Sequence, residues 1–321
     1  MKAHNRWAAA GIAAGCGVDA LFADPRRGHP VAGFGWCATT LETVTYRDSR
    51  AAGALHTAAL VSGLAGAAAL VSGRAGRGPG RAAVTAVATW VALGGTTLAR
   101  TGSAMADRLG DEDLDGARDL LPSLCGRDPS VLDESGLARA ACESIAENTS
   151  DAHVAPLLWA ALAGVPGVLA YRGINTLDAM VGNRSARYAR FGWAAARLDD
   201  IANYLPARLT GALTVVCAGL LGESPAGAVR AWRRDAARHP SPNAGVAEAA
   251  FAGALGVRLG GPTQYRHELE IRPTLGDGPD PEVSDLCRAV RLSRWVQGAA
   301  VVAAVALTVG VRTGRPASPR R

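Results

Sequence analysis

The stretch Ala51 to Ser72 reads AAGALHTAALVSGLAGAAALVS, with no formal charge and His56 as its one titratable group. A helix needs about 20 predominantly apolar residues to cross the ~30 Å hydrocarbon core of a bilayer. This stretch meets that requirement, so a membrane-spanning helix is expected here. A second apolar run, Ala82 to Ala99, follows after a short arginine-containing turn, and the two together read as a helical hairpin. Further runs are Trp7 to Ala23, Val154 to Tyr171, Leu209 to Leu221 and Trp295 to Val311.

Polar stretches separate these runs: Thr101 to Asp151, Arg172 to Tyr204 and Gly222 to Arg294. They carry too many charges to lie in lipid. Helix starts are visible within them. Asp133 precedes the run from Glu134, and Ser224-Pro225 offers an N-cap followed by Pro at the first helical position. No stretch alternates as a half-buried strand would. The expected fold is all-α: a polytopic membrane helical bundle with polar, partly helical connections, the whole chain 1–321 forming one membrane-embedded domain. Lys2 and Arg6 ahead of Trp7 imitate a secretory leader, but Asp19 inside the apolar run argues for a retained helix.

Composition excludes several functions. Lys2 is the only lysine among 34 basic residues. A Walker A loop needs a lysine after its glycines, and a Schiff-base enzyme needs a lysine amine. Neither can be built from Lys2, and the glycine-rich Gly73 to Gly80 stretch reads as a basic turn between two helices. The net charge of +6 is scattered among acids rather than gathered into a basic, aromatic-interleaved stripe, so no nucleic-acid partner is expected. Six cysteines lie far apart with no C-x-x-C pair, which fits reduced, packed thiols rather than a zinc or redox centre.

The chemistry-bearing residues sit at the ends of apolar runs, where ionisable groups are functional candidates. Glu143, Glu147 and Asp151 recur every four residues and would share one helix face, with Asn148 beside them. Arg172, Asn175 and Asp178 follow the Val154 run within two turns. Arg197, Asp199, Asp200 and Asn203 form a third cluster. Oxygen-rich groups of this kind suit hard cations that also hold phosphate. Near the N-terminus, Asp24-Pro-Arg-Arg27-Gly-His29-Pro30 sets an acid, guanidinia and an imidazole at a helix end. Arg238-His239-Pro-Ser-Pro-Asn243 is a comparable turn, leading into a small-residue helix expected to end at Leu259-Gly-Gly261.

These motifs, in this order, resemble the adenosylcobinamide-phosphate synthases, the CobD/CbiB family. The resemblance runs from Asp24-Pro-Arg-Arg with His29-Pro-Val through Glu143-Ser-Ile-Ala-Glu-Asn-Thr149 and Asn175-Thr-Leu-Asp-Ala-Met-Val-Gly182. It continues with Ala196-Arg-Leu-Asp-Asp200, Leu205-Pro-Ala-Arg-Leu-Thr210 and His239-Pro-Ser-Pro-Asn-Ala-Gly245. The chain departs from the family's pattern at His153 and at Arg266-His267.

The resemblance implies a multi-pass protein of the bacterial inner membrane with a cytoplasmic active site. It would join adenosylcobyric acid to (R)-1-amino-2-propanol phosphate, or to the free amino alcohol, using ATP and Mg²⁺ as co-substrates, beside other cobalamin-pathway enzymes. A carboxylate is a poor acyl donor, so an acyl phosphate is expected, with cations on the transferring phosphate and a base for the amine. Glu147, Asp178, Asp199 and Asp200 are the expected metal and phosphate ligands. Arg172 and Arg197 are expected to carry phosphate charge, with Glu143 or His29 as base. Asp24, Arg27, Asn148, Asn175, Asn203 and Asn243 are expected to contact substrate. A membrane Mg-dependent prenyl- or phospho-transferase and a non-enzymatic corrinoid-binding partner are the competing readings. Because one site must draw on residues at both ends of the Val154 run, that run, with Pro156, Gly164 and Pro166, is expected to be broken.

Overall fold

The computed structural model describes residues 2–25, 28–183, 185–264 and 269–310. Among them are thirteen α-helices and one two-stranded antiparallel hairpin. The bundle expected from the sequence is present. Five helical stretches are long and apolar enough to cross a bilayer: Arg50–Arg74, Pro79–Gly110, Glu134–Val181, Tyr204–Leu221 and Val283–Gly310. The first helix, α1 (Lys2–Phe22), is not among these five.

The chain divides into two compact units, one of Met1–Leu93, Pro156–Asp199 and Ala300–Arg321, the other of Gly94–Ala155 and Asp200–Ala299.

In the first unit, α2 (Pro30–Thr45), α3 (Arg50–Arg74) and α4 (Pro79–Ala92) follow α1. Helices α1 and α4 approach closely because Gly11 and Gly15 form a G-x-x-x-G face. A Cβ at either would fall 2.6 Å from a backbone oxygen of α4, that of Ala82 or Ala86. Small residues permit such backbone contact in place of a large apolar side-chain core. A core of larger side chains gathers Leu177, Val181 and Phe191 with Ala38 and Ala195, flanked by Phe34 and Leu60.

The Val154 run belongs to α8 (Ala155–Val181), and Gly164 breaks it with φ +65° and ψ −152°. Those angles are open in practice only to glycine. The run is therefore interrupted, as Gly164 and Pro166 foreshadowed. The Ala82 to Ala99 run is also divided: α4 ends at Ala92, and α5 (Gly95–Gly110) begins after Leu93 turns extended at ψ 159°.

In the second unit, α7 (Glu134–Thr149), α10 (Tyr204–Leu221), α11 (Pro225–Asp235) and α12 (Ala244–Leu255) pack around a largely alanine core. Helix α6 (Leu114–Leu120) precedes α7, and α9 (Trp193–Ala202) precedes α10. The two expected caps are present: Asp133 accepts from Gly136 N–H at 2.8 Å, and Ser224 from Gly227 N–H at 3.0 Å. Helices α11 and α12 touch backbone to backbone, since a Cβ on Gly227 would lie 2.1 Å from Gly253 O.

Two expectations need correction here. Helix α12 stops at Leu255, capped by left-handed Gly256, so it does not run to Gly261. Leu259-Gly-Gly261 instead opens β1 (Leu259–Gln264), which pairs with β2 (Leu269–Leu275) with a bulge between Leu259 and Gly261. The alternation that marks a strand is hidden because Gly260, Gly261 and Pro262 carry little or no side chain to pattern. Helix α13 (Val283–Gly310) completes the chain.

Candidate functional site

Helix α7 ends in a π-helical turn, Ser150–Val154, before α8 begins. The wider turn inserts a residue into the helical phase. The expected stripe of three acids is thereby cut to two: Glu143 and Glu147 line a cavity of about 280 Å³, and Asp151 does not.

That cavity lies within the second unit. Arg127 and Cys125 enter from the loop before α7, Arg272 from β2, and Glu248 from α12. Glu143 is 2 % exposed, and both its oxygens are engaged. Oε2 pairs with the buried Arg127 guanidinium, and Oε1 accepts from Gly260 N–H at 2.8 Å. It is thus an anchor joining three chain segments. Glu147 borders the same space and accepts no hydrogen bond from a described residue. Asn148 donates to Ser144 O at 3.0 Å and Ser144 Oγ at 3.1 Å.

Glu248 is 1 % exposed, and neither of its oxygens has a hydrogen-bond donor among the described residues. Burial pushes its pKa up to about 8; Glu147 adds to the rise, while Arg272 and Arg127 oppose it. His239 Nε2 stands 3.8 Å from Glu248 Oε1. Burial lowers the His239 pKa, so the ring is neutral at pH 7. Burial raises the Cys125 thiol, which is therefore protonated at that pH and no ready nucleophile.

Asn243, at the head of α12, accepts from Arg208 Nη1 at 2.7 Å and donates to the Asp200 carbonyl at 2.8 Å. Asn203 is buried at the start of α10, its carbonyl accepting from Ala207 N–H. Asn203, Asn243 and the Asp200 backbone thus belong to the second unit along with Glu143, Glu147 and Asn148.

The remaining expected residues belong to the first unit. His29 caps α2, its Nδ1 accepting from Val31 N–H at 3.2 Å, which leaves the ring proton on Nε2, 3.4 Å from Asp24 Oδ1. Asn175 Nδ2 reaches Asp199 Oδ1 at 3.5 Å. Asp178 folds back over Gly182, where a Cβ would fall 1.8 Å from its Oδ1. Arg197 is exposed on α9. Arg172 borders an apolar cavity of about 550 Å³ between α2, α3, α4 and α8, and its buried Nε has no partner among the described residues. Arg27 lies outside the described residues, as do Arg266 and His267.

Among the described residues, no three His, Cys, Asp or Glu side chains converge to hold a metal ion. Of the four expected metal ligands, Glu147 and Asp200 fall in one unit, Asp178 and Asp199 in the other.

Sequence reasoning missed three of the cavity's residues: Arg127, Glu248 and Arg272. Glu248 had a signal, being the only formal charge in the otherwise apolar Ala244–Leu255. Arg127 and Arg272 had none, since each is one arginine among many until the loop and hairpin fold inward.

Five helical stretches long and apolar enough to span lipid are the mark of a polytopic membrane protein, and the charged cavity lies in its second unit. Residues 12–293 match the family model described as CobD/Cbib protein, and the chain belongs to the CobD/CbiB family. It is 65% identical over 304 residues to the cobalamin biosynthesis protein CobD of Mycobacterium tuberculosis strain H37Rv, covering 93% of this chain and 95% of that one. It is 42% identical over 299 residues to the protein of that name from Chromobacterium violaceum, covering 90% and 94%. No solved structure matches it. Its role therefore lies in cobalamin biosynthesis.

Proposed function

We propose that this chain is an ATP-dependent amide synthase that joins the amine of (R)-1-amino-2-propanol phosphate, or of the free amino alcohol, to the carboxyl of adenosylcobyric acid. The observation that carries the reading is the 280 Å³ cavity, where two guanidinia face two carboxyls, Glu147 and Glu248, that accept no hydrogen bond from a described residue. Arg272 and Arg127 are suited to a phosphoryl group or a substrate carboxylate, for which the guanidinium fork is the better match than an ammonium. A carboxylate that has taken the γ-phosphoryl of ATP becomes an acyl phosphate, an acyl donor reactive toward an amine. Magnesium enters as the partner of ATP, held by its phosphates. In the first unit, Arg172, and Asn175 with Asp199, are proposed to contact substrate anions and amides. ATP supply places the cavity on the cytoplasmic side of the inner membrane.

The test is to incubate the purified protein in lipid nanodiscs with adenosylcobyric acid, aminopropanol phosphate and Mg·ATP. The expected products are the amide, seen by mass, and one ADP per amide. Arg272→Ala should cut turnover at least tenfold. Corrinoid binding with neither amide nor ADP would overturn the proposal in favour of a carrier.

A further inference from the structure

The cavity holds three acids, and only one is placed to move a proton. We infer that Glu248 is the general base that frees the attacking amine, and that His239 is the positioning residue that presents it, an inference that rests on the amide-synthase reading above.

Glu143 is excluded by its bonds, since taking a proton would break a buried ion pair with Arg127 and release Gly260 N–H. Glu147 accepts no hydrogen bond from a described residue to orient it. Glu248 has His239. His239 Nδ1 lies 3.0 Å from the Ser241 nitrogen and 3.1 Å from the Ser241 carbonyl oxygen, which fixes the ring and sets Nε2 3.8 Å from Glu248 Oε1. His239 Nε2 is itself buried with no hydrogen-bond partner among the described residues. A ring nitrogen held just beyond bonding distance of a carboxyl is the geometry expected before substrate tightens the site.

The charges around Glu248 come from each neighbouring element. Helix α7 presents Glu147, with Glu143 neutralised by Arg127 from the preceding loop; β2 presents Arg272, itself paired with Glu270 at 3.3 Å. Helices α10 and α11 turn their nearest charges elsewhere, Arg208 to Asn243 and Asp235 to Arg234 and Gly276. One like charge and deep burial set against two guanidinia leave the carboxyl titrating near neutrality, at about 8. That is where a base for an alkylammonium is most effective.

The step balances as follows. The ammonium gives one proton to a Glu248 oxygen, and the freed nitrogen lone pair attacks the carbonyl carbon of the acyl phosphate. The bond from that carbon to the phosphate oxygen breaks with its electrons on phosphate. The second nitrogen proton leaves with phosphate as HPO₄²⁻, and Glu248 returns its proton to water.

The test uses full-length protein in nanodiscs and two nucleophiles. Hydroxylamine is uncharged at neutral pH and needs no base, so it reports acyl-phosphate formation as an ATP-dependent hydroxamate. Glu248→Gln should lower amide kcat by about 10²- to 10⁴-fold, erase the rise in kcat between pH 7 and 9, and leave the hydroxamate yield within about twofold of wild type. His239→Gln should shift the midpoint of that rise without changing the KM for corrinoid. Wild-type protein that forms no hydroxamate would sink the acyl-phosphate reading itself. Wild-type amide kcat in Glu248→Gln, or loss of hydroxamate and amide together in that variant, would overturn the base assignment alone.

Discussion

The Glu143 carboxylate on α7 accepts the N–H of Gly260, 117 positions later, at 2.8 Å. Gly260 has φ +81°, and a Cβ there would fall 2.1 Å from the Pro273 carbonyl oxygen. The glycine lets the bulge turn its N–H inward, and the carboxylate that receives it also neutralises Arg127. Glu143→Ala would break a buried ion pair, which costs about 3–5 kcal/mol. The expected result is a large fall in unfolding temperature. Glu143→Ala with Arg127→Met should recover much of it, and a thermal-melt double-mutant cycle in detergent measures the coupling.

Asp235 makes a comparable staple from the far end of α11, accepting from Gly276 N–H at 2.9 Å and from Arg234 at 2.7 Å. Burial pushes its pKa up, but Arg234 and the Gly276 N–H together outweigh that and hold it below the usual carboxylate range. Glu248 shifts the other way. A depressed pKa gives stability that is present above the unfolded value and lost as pH falls through the folded one. A raised pKa gives stability that is complete below the unfolded value and lost as pH rises through the folded one, here about 8. Asp235→Asn should therefore flatten the acid side of a melting-temperature profile, and Glu248→Gln the side between pH 5 and 9. Unchanged slopes in either variant would contradict the corresponding ionisation.

Helices α11 and α12 meet at Gly227 and Gly253, where a Cβ on Gly253 would fall 2.2 Å from Gly227 O. No side-chain rotation relieves a clash with backbone, so Gly253→Ala must push the helices apart. The cost is about 1–3 kcal/mol, the range for overpacking. Because α12 carries Glu248 and begins at Asn243, turnover should fall with stability. Matched melting and amide-synthesis measurements check both, and a variant that melts like wild type would show that the helices have room.

The fold was legible where a pattern lies within one segment. Ala51 to Ser72 is apolar throughout and becomes α3; Asp133 and Ser224 announce helix starts that form as caps. The site was legible only in part. Glu143 and Glu147 sit four residues apart on one helix, so spacing finds them. Their partners Arg127, Arg272 and Glu248 arrive from a loop, a strand and another helix, and no local period connects them. The π-helical turn that removes Asp151 from the stripe has no sequence mark of its own, because its residues have the composition of an ordinary helix.

The break at Gly164 separates two explanations of how a helical stretch running from Glu134 to Val181 changes course. If Pro166 alone caused the bend, by removing a backbone donor, then Pro166→Ala would restore the hydrogen bond and stabilise the helix. The angles say otherwise. Gly164 sits at φ +65° and ψ −152°, a region that costs other residues about 1–3 kcal/mol. Pro166 follows at the start of the next helical segment, where its missing N–H is no loss and its fixed φ suits the first turn. Gly164→Ala should therefore lower the melting temperature by several degrees and depress activity, while Pro166→Ala should be nearly neutral. Thermal melts of the two variants in detergent decide the matter, and a stabilising Pro166→Ala would transfer the cause of the break from the glycine to the proline.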